Sequence, residues 1–500
     1  MQLKHKITYS ILFSMLFSGN VFAEQYSDPM FSTDIVKNQE RANSNNEFKK
    51  AFFESINKFE NLNIKIAYDD FNKLIEKNKS NDFYLLLLAN KTAEFGLFDL
   101  SNKAFSHIKD NDISNINQND IKNFYYPKVS MSTEDTLILA ELSSNIMYND
   151  QAKESTTELS QYQRYLNDYD YANYLMALGY FKQNDIINAK KYIDNAIKMN
   201  PENISYKILE AKIVSGDKKG KISKKIIKEI KSQHITTALL LDKINSSEEY
   251  IMYLISQRTF DKNFHLGMYY FAEKNYVKAS KVFQSSINNK NKKDNAKLYS
   301  MLARCSFEQG DYPKALEYTQ KANKITKNNP NCLLVMGDLK TKEGDLKNAI
   351  KYYNQASSSK SLKQIAEEKR ASAYSKISGA KRSNDIYKNI IKEYPNSYIS
   401  YYRLGLSNEG NDTDFLKKSI SLNIMYQDAW IDLARIMLEK GNLTLAKKYL
   451  TIANYIDDKN YKYYYYQNLL KKKESELNNS QKYITNKVAN ETQHFNCRRP

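Results

Sequence analysis

Apolar residues recur every three or four positions through most of the chain, and short polar segments interrupt them. One unit between 427 and 458 shows the pattern clearly: Trp430, Leu433, Ala434, Met437, then Gly441-Asn442, then Ala446, Leu450 and Ala453. This spacing is typical of one face of an α-helix, and a glycine followed by a polar residue indicates a turn between two helices. The pattern therefore predicts helical hairpins joined by short connections.

Small residues at equivalent places in these hairpins return at a fixed interval. The step from Ala315 to Ala349 is 34 residues, and the step from Ala349 to Ser383 is the same. The step from Ala279 to Ala315 is 36 residues, which two extra residues in the loop at 288–293 explain. A constant period of this length predicts a repeat architecture in which each hairpin stacks on the next.

The repeating residues resemble the consensus of the tetratricopeptide repeat family. Further units carry the same positions: Tyr180, Asn184-Asp185, Ala189, Ile193 and Ala196; Leu266-Gly267, Asn275-Tyr276 and Phe283; Leu333, Gly337, Gly344-Asp345, Tyr353 and Ala356. The resemblance is clear over 170–203 and 260–460 and weaker elsewhere. It implies an all-α solenoid, a superhelix of stacked antiparallel helix pairs, in which small residues such as Ala303, Gly337 and Ala434 allow the helices to approach closely.

The N-terminus has the features of a secretory signal peptide. Basic residues Lys4 and Lys6 precede an apolar stretch at 7–17, and small side chains indicate cleavage after Ala23. The stretch is too short to span a bilayer, and residue 24 is Glu24 rather than a cysteine that would carry lipid. We expect an exported protein in the periplasm, either free or peripheral to the outer membrane, and not integral to a membrane.

The rest of the chain divides into seven segments. These are a disordered lead-in (24–46), degenerate helices of the same type (47–110), an irregular loop (111–133), helix pairs that include a repeat at 170–203 (134–259), the regular array (260–460), a closing helix (461–473) and a polar tail (474–500). The closing helix is expected because a stack of repeats needs a terminal element with a polar outer face.

Composition agrees with a helical fold and limits the partners. The chain has 13 glycines and 7 prolines, against roughly 35 and 25 at average usage. The formal net charge of +18 indicates either attraction to anionic partners or lysines that merely solvate helix faces. We favour solvation, and we expect no nucleic-acid partner because export removes most access to nucleic acid.

No motif in the chain indicates catalysis, a metal or a cofactor. The five histidines do not pair at metal-ligand spacing, and no HExxH or CxxC occurs. The segment at 216–222 superficially resembles a phosphate-binding loop, but its glycines are one residue too close and no Ser or Thr follows the lysine. Cys305 and Cys332 are expected to be buried thiols. We predict a protein that is not an enzyme and binds no metal or cofactor.

The family resemblance implies a concave groove lined by the first helix of each pair. The residues that it places there, as candidates for partner binding, are Tyr171, Tyr174, Phe181, Phe264, Met268, Phe271, Arg304, Phe307, Leu334, Asp338, Ile431 and Arg435. An aromatic and apolar lining with scattered charges suits an extended peptide or a partner helix. We therefore predict a scaffold or adaptor for protein–protein interaction within an assembly of the bacterial cell envelope. The alternative is a module that binds an anionic polysaccharide during export or synthesis of a surface polymer.

Overall fold

The computed structural model describes residues 46–109, 118–233, 235, 238–288, 290–407 and 412–496, and within these ranges the secondary structure is entirely helical. The helices are α1 (Glu47–Glu60), α2 (Ile64–Lys77), α3 (Asp82–Glu94), α4 (Phe98–His107), α5 (Gln118–Tyr125), α6 (Thr133–Tyr148), α7 (Ala152–Gln161), α8 (Gln163–Asp168), α9 (Asp170–Lys182), α10 (Ile186–Met199), α11 (Ile204–Ile213), α12 (Lys221–Ser232), α13 (Ala238–Ile255), α14 (Thr259–Ala272), α15 (Tyr276–Ser285), α16 (Lys292–Glu308), α17 (Tyr312–Ile325), α18 (Pro330–Lys342), α19 (Leu346–Ala356), α20 (Lys363–Ser378), α21 (Ala380–Glu393), α22 (Tyr398–Ser407), α23 (Thr413–Leu422), α24 (Gln427–Glu439), α25 (Leu443–Ile456) and α26 (Tyr461–Asn496). A 3₁₀ segment, Val214–Gly220, separates α11 from α12.

Consecutive helices pack as pairs, and each pair contacts the next, so the prediction of an all-α solenoid is confirmed. The turn inside a pair is built as the sequence indicates. Gly344 has a φ of 81°, and the side chain of Asp345 accepts a hydrogen bond from the backbone N–H of Asn348. Asn442 caps α25 in the same way, one residue after Gly441. These caps satisfy N–H groups that a helix leaves unpaired at its start.

Small residues lie where the two helices of a pair approach most closely. A Cβ placed on Gly337 would lie 2.4 Å from the Tyr353 ring, and one on Gly267 would lie 2.3 Å from the Phe283 ring. Ala303 is fully buried in the same kind of contact. The large ring of the second helix therefore fills the space that the missing side chain leaves.

The two ends of the stack meet, which the sequence does not indicate. Phe83 on α3 lies 6.1 Å from the ring of Trp430 on α24 and 5.5 Å from that of Tyr455 on α25. Phe83 and Trp430 are both buried, and one apolar core runs through the first helices and the last repeats. Lys448 and Asp82 form an ion pair of 3.8 Å across the same joint. The described chain is therefore a stack whose first and last pairs cover each other.

Two predicted segment boundaries differ from the structure. The irregular loop expected at 111–133 contains helix α5, whose Ile121 and Phe124 are buried among neighbouring helices. The closing helix continues through the predicted polar tail to Asn496, because the lysines, glutamates and glutamines there are good helix formers. The signal peptide and the lead-in expected before residue 46 lie outside the described residues.

Two smaller expectations concern tyrosines and cysteines. At the start of α26 only Tyr463 of the tyrosine run is fully buried, while Tyr461 and Tyr465 are exposed, as expected for consecutive residues that point around a helix. Cys305 and Cys332 are free, buried thiols, which confirms their predicted state. In the part of the chain that is described, no helix combines the length and the apolar character of a membrane span.

Candidate functional site

A cavity of about 320 Å³ lies between the N-terminal and central parts of the stack. Its walls come from α3, α5, α6, α9, α11, α13 and α14. Four of these, α3, α9, α11 and α14, are the first helices of their pairs, the helices from which the predicted groove residues come. Its volume is at the low end of the range for ligand sites in proteins, roughly 300–1,000 Å³.

A row of stacked tyrosines forms one wall of the cavity. The ring centroids of Tyr171 and Tyr174 are 5.9 Å apart, and those of Tyr174 and Tyr206 are 5.0 Å apart. The Tyr206 hydroxyl donates to Asp170 over 3.3 Å, and the Tyr171 hydroxyl donates to Ser143 over the same distance. Tyr174 is the partly exposed member of the row, whereas Tyr171 and Tyr206 are buried. The row offers a rigid aromatic surface.

A charged cluster also lines the cavity. Glu94 on α3 lies 2.9 Å from the ammonium group of Lys243 on α13 and 2.9 Å from that of Lys91. Lys243 also donates to the hydroxyl of Tyr125 on α5. Burial opposes ionisation of Glu94, but the two ammonium groups outweigh it and lower the pKa of Glu94 to about 2. The cluster ties α3, α5 and α13 together while Glu94 is ionised.

The three tyrosines of the row remain neutral at physiological pH. Burial raises the pKa of Tyr171 to about 12 and raises the pKa values of Tyr174 and Tyr206 further. Neutral phenols in this position supply ring faces and hydroxyl dipoles, which suits binding. Among the described residues, no three His, Cys, Asp or Glu side chains lie close enough together to hold a metal ion.

Of the predicted groove residues, Tyr171 and Tyr174 line this cavity. Others pack into the apolar cores between helices: Phe181, Phe264, Met268, Phe271 and Phe307 are partly buried, and Leu334 and Ile431 are buried. The prediction that Leu334 and Ile431 face an open groove is wrong for this structure, because neighbouring helices cover them.

The three charged residues predicted for the groove bind to other parts of the chain. Asp338 on α18 accepts hydrogen bonds from Tyr353 over 2.8 Å and from Lys369 over 2.7 Å. Arg304 donates to Asn331 over 3.2 Å and lies 4.8 Å above the Phe271 ring, and burial lowers its pKa. Arg435 on α24 pairs with its own helix, with Asp432 at 3.2 Å and Glu439 at 2.8 Å. Asp338 and Arg304 therefore link the first helices of neighbouring repeats, as Asp338–Lys369 and Arg304–Asn331 show.

Several lining residues could not be found from the repeat pattern. Tyr206 and Lys212 on α11, Tyr250 on α13 and Glu94 on α3 all belong to parts of the chain where the repeat is degenerate. These residues come together only because the stack curves and brings helices that are distant in sequence into contact. The sequence contains one indirect signal of an aromatic site, its high tyrosine content. Tyrosine accounts for 40 of 500 residues, which a helical core alone does not require.

Three segments of the chain match sequence models of the tetratricopeptide repeat. Residues 171–203 and 330–361 match one such model, and residues 296–329 match another. The chain therefore contains tetratricopeptide repeats, and the fold extends the same helix-pair architecture beyond them. A search of curated proteins found no match.

Solved structures with the same general architecture are similar at low identity. The Cut9–Hcn1 hetero-tetramer of the APC/C is 12% identical over 86% of this chain and 90% of that chain, with a TM-score of 0.37. PilW, a type IV pilus biogenesis factor, is 15% identical over 42% of this chain and 98% of its own, with a TM-score of 0.35. PilF of Pseudomonas aeruginosa is 16% identical over 46% of this chain and 94% of its own, with a TM-score of 0.26.

Proposed function

We propose that this protein is a non-catalytic scaffold that holds a segment of another protein in the tyrosine-lined cavity. The observation that supports the proposal most is the row Tyr171, Tyr174 and Tyr206, set on first helices beside an open space. Tetratricopeptide repeats supply the frame for such a surface. The charged groove candidates Asp338, Arg304 and Arg435 are already bound to neighbouring side chains. The cavity is therefore the part of the inner surface best suited to a partner.

The cavity favours an apolar or aromatic anchor on the partner. The ring of Tyr174 is already stacked between Tyr171 and Tyr206, whose hydroxyls are hydrogen-bonded, so binding costs little side-chain entropy. A volume of about 320 Å³ holds one or two large side chains rather than a folded domain. An extended peptide or one face of a helix delivers such side chains at regular spacing. The partner is therefore a protein segment anchored by a few apolar residues.

The proposal includes a place of action. The basic residues, short apolar stretch and cleavage pattern of residues 1–23 support export, and we place the processed protein in the periplasm as part of a cell-envelope assembly. Binding of an anionic polysaccharide is the competing function, which would depend on exposed lysines rather than on this cavity. Ionic strength distinguishes the two, since screening weakens exposed charge pairs far more than apolar burial.

A site-specific photo-crosslinker tests the proposal. Tyr174 is replaced by p-benzoylphenylalanine in the full-length chain, and Ile187 on α10, 85% exposed on the second helix of the same pair, is replaced in a control. We expect a protein adduct from position 174 that survives 0.5 M salt during irradiation and is absent from position 187. The Tyr174→Ala variant is expected to weaken binding of the identified segment about tenfold or more, as truncation of an aromatic anchor does.

Two outcomes would contradict the proposal. One is equal cross-linking from positions 174 and 187, which would mean that the inner surface is not selected. The other is a polysaccharide adduct, with no protein adduct, that disappears at 0.5 M salt. That result would favour the polysaccharide function instead.

A further inference from the structure

Helix α12 carries a continuous row of lysines on its exposed side. We call Lys221, Lys224, Lys225, Lys228 and Lys231 the lysine face; all five side chains are exposed. Lys224 and Lys225 are adjacent, and every lysine of the five has another three or four residues away, so they share one side of the helix over about 15 Å. The opposite side of α12 buries Ile227 and Ile230 against the stack. The fold therefore uses one side of this helix and leaves the lysine face to solvent.

The lysine face is electrostatically unfavourable within the chain. Lys221 and Lys225, and likewise Lys224 and Lys228, are like charges at i,i+4 spacing, which destabilises a helix. Lysines in the first turn also oppose the helix dipole, and α12 has no acidic residue in that turn. An acidic neighbour on α13, Glu248, pairs with Lys231 at the far end. The lysine face is therefore a local concentration of positive charge that an acidic partner would neutralise.

The preceding turn adds two lysines to the same end of the helix. Lys218 and Lys219 have φ values of 39° and 60°, and Gly220 has a φ of 72°, so three successive residues are left-handed. Lys218 and Lys219 are exposed, whereas Gly220 is buried. A Cβ on Gly220 would lie 2.5 Å from Ile255 of α13, so the turn is packed closely against the stack. A strained backbone of this kind is held in place by its surroundings.

A shallow groove of about 360 Å³ runs beside the lysine face, between α12 and α13. Lys224, Lys228, Lys231 and Glu248 form its rims, and Ile227, Ile251 and Met252 form its floor. Ile227 and Ile251 are almost completely buried, at 4% and 1% exposure. The groove thus combines an apolar floor with a strongly basic rim.

We propose that this groove and the lysine face bind an acidic amphipathic segment of a partner protein. Carboxylates spaced by three or four residues would meet the lysines, and an apolar side chain of the segment would contact Met252, the partly exposed residue of the floor. A lipid surface fits less well, because insertion needs large apolar side chains that project outward, and the floor is recessed. An anionic polysaccharide or a nucleic acid could meet the lysines, but neither carries an apolar side chain that would fill the groove beside Met252. The proposal is independent of the cavity, which lies on the inner surface.

The test uses a synthetic 16-residue helical peptide with glutamates and leucines on adjoining faces, labelled for fluorescence anisotropy. A second peptide carries glutamine at each glutamate position. The test variant is K224Q/K225Q/K228Q, and the control variant K321Q/K347Q/K351Q removes three exposed lysines from α17 and α19. Each surface charge contributes a modest amount, so we expect the test variant to bind the acidic peptide about tenfold more weakly at low salt. The control variant should bind it like the wild type.

Each outcome decides the proposal. Loss of binding in the test variant alone, together with weak binding of the glutamine peptide, supports it. Equal affinity of both variants for the acidic peptide, or equal affinity of the wild type for both peptides, overturns it. Tighter binding to vesicles of phosphatidylglycerol and phosphatidylcholine, or to alginate, than to the peptide also overturns it. Circular dichroism checks folding, and the test variant should be no less stable than the wild type because like-charge repulsion is relieved. Y174A leaves this binding unchanged, so the result is separate from that for the cavity.

Discussion

The contact between the two ends of the stack leads to a quantitative prediction. Phe83 on α3 is fully buried and lies edge-on to Trp430 and Tyr455, which belong to the last repeat. Replacing a buried phenylalanine by alanine typically costs about 3–5 kcal/mol, through lost burial and the cavity that remains. If each repeat were coupled only to its neighbours in sequence, this substitution would destabilise only the first helices. In this structure, F83A weakens the last repeat as well.

Trp430 reports this effect directly, because it is the only tryptophan of the chain. It is 1% exposed, and its indole N–H donates to the carbonyl of Ile424 over 2.7 Å. We expect F83A to shift the emission of the native protein to longer wavelength and to lower the urea midpoint followed by Trp430. Small-angle scattering should show a larger radius of gyration as the ends separate.

The control removes an equally buried ring that does not touch the last repeat. Phe71 on α2 is fully buried and packs near Phe52 and Phe95. F71A is expected to destabilise the first helices and to leave the native emission of Trp430 unchanged. A double-mutant cycle between Phe83 and Tyr455 should give a coupling of about 0.5–1.5 kcal/mol, the usual value for an aromatic pair. Native emission unchanged by F83A, with a coupling near zero, would refute the end-to-end contact.

Three further predictions concern packing, ionisation and thiol reactivity. G337A should destabilise the protein by about 1–3 kcal/mol in urea unfolding, because the new methyl group meets the Tyr353 ring at 2.4 Å, whereas G216A, with nothing within 4 Å, should change the midpoint little. The pKa of Glu94 is lowered from 4.5 to about 2, so its ionised form stabilises the fold above about pH 4.5, and that stabilisation is lost as the pH falls towards 2. E94Q, which lacks this titration, should therefore show a shallower fall in melting temperature across that window; parallel curves would contradict the assignment. Burial raises the pKa of Cys305 to about 11 and that of Cys332 to about 12. In a C497S background these two thiols should therefore react with Ellman's reagent only as fast as the protein unfolds. Rapid labelling of the native protein would contradict their burial.

The repeat frame could be predicted from the sequence because its signals are local. Gly337 and Tyr353, or Gly344 and Asp345, lie within one hairpin, and their spacing alone indicates a turn, a cap and a close approach. Helix α5 is not predicted because only two buried apolar residues, Ile121 and Phe124, mark it among polar neighbours.

The site was predicted only in part, because it depends on contacts between distant helices. Tyr171 and Tyr174 were identified from their helix position, but Tyr206, Tyr250 and Lys243 come from degenerate units. Leu334 and Ile431 were assigned to the groove from single-repeat geometry, which cannot show how much of each first helix the next repeat covers. The contact of Phe83 with Trp430 depends on the curvature summed over the whole stack, which no single hairpin encodes.

A protein segment bound at the tyrosine cavity would shield the backbone of the helices that line it. Hydrogen–deuterium exchange of the full-length protein, with and without the segment identified by cross-linking at position 174, tests this binding most directly. We predict slower exchange in Asp170–Lys182, Ile204–Ile213 and Ala238–Ile255, whose residues line the cavity, and unchanged exchange in the outer helix Ile186–Met199. If exchange slowed only in outer helices and was unchanged in the three lining helices, binding at the cavity would be contradicted.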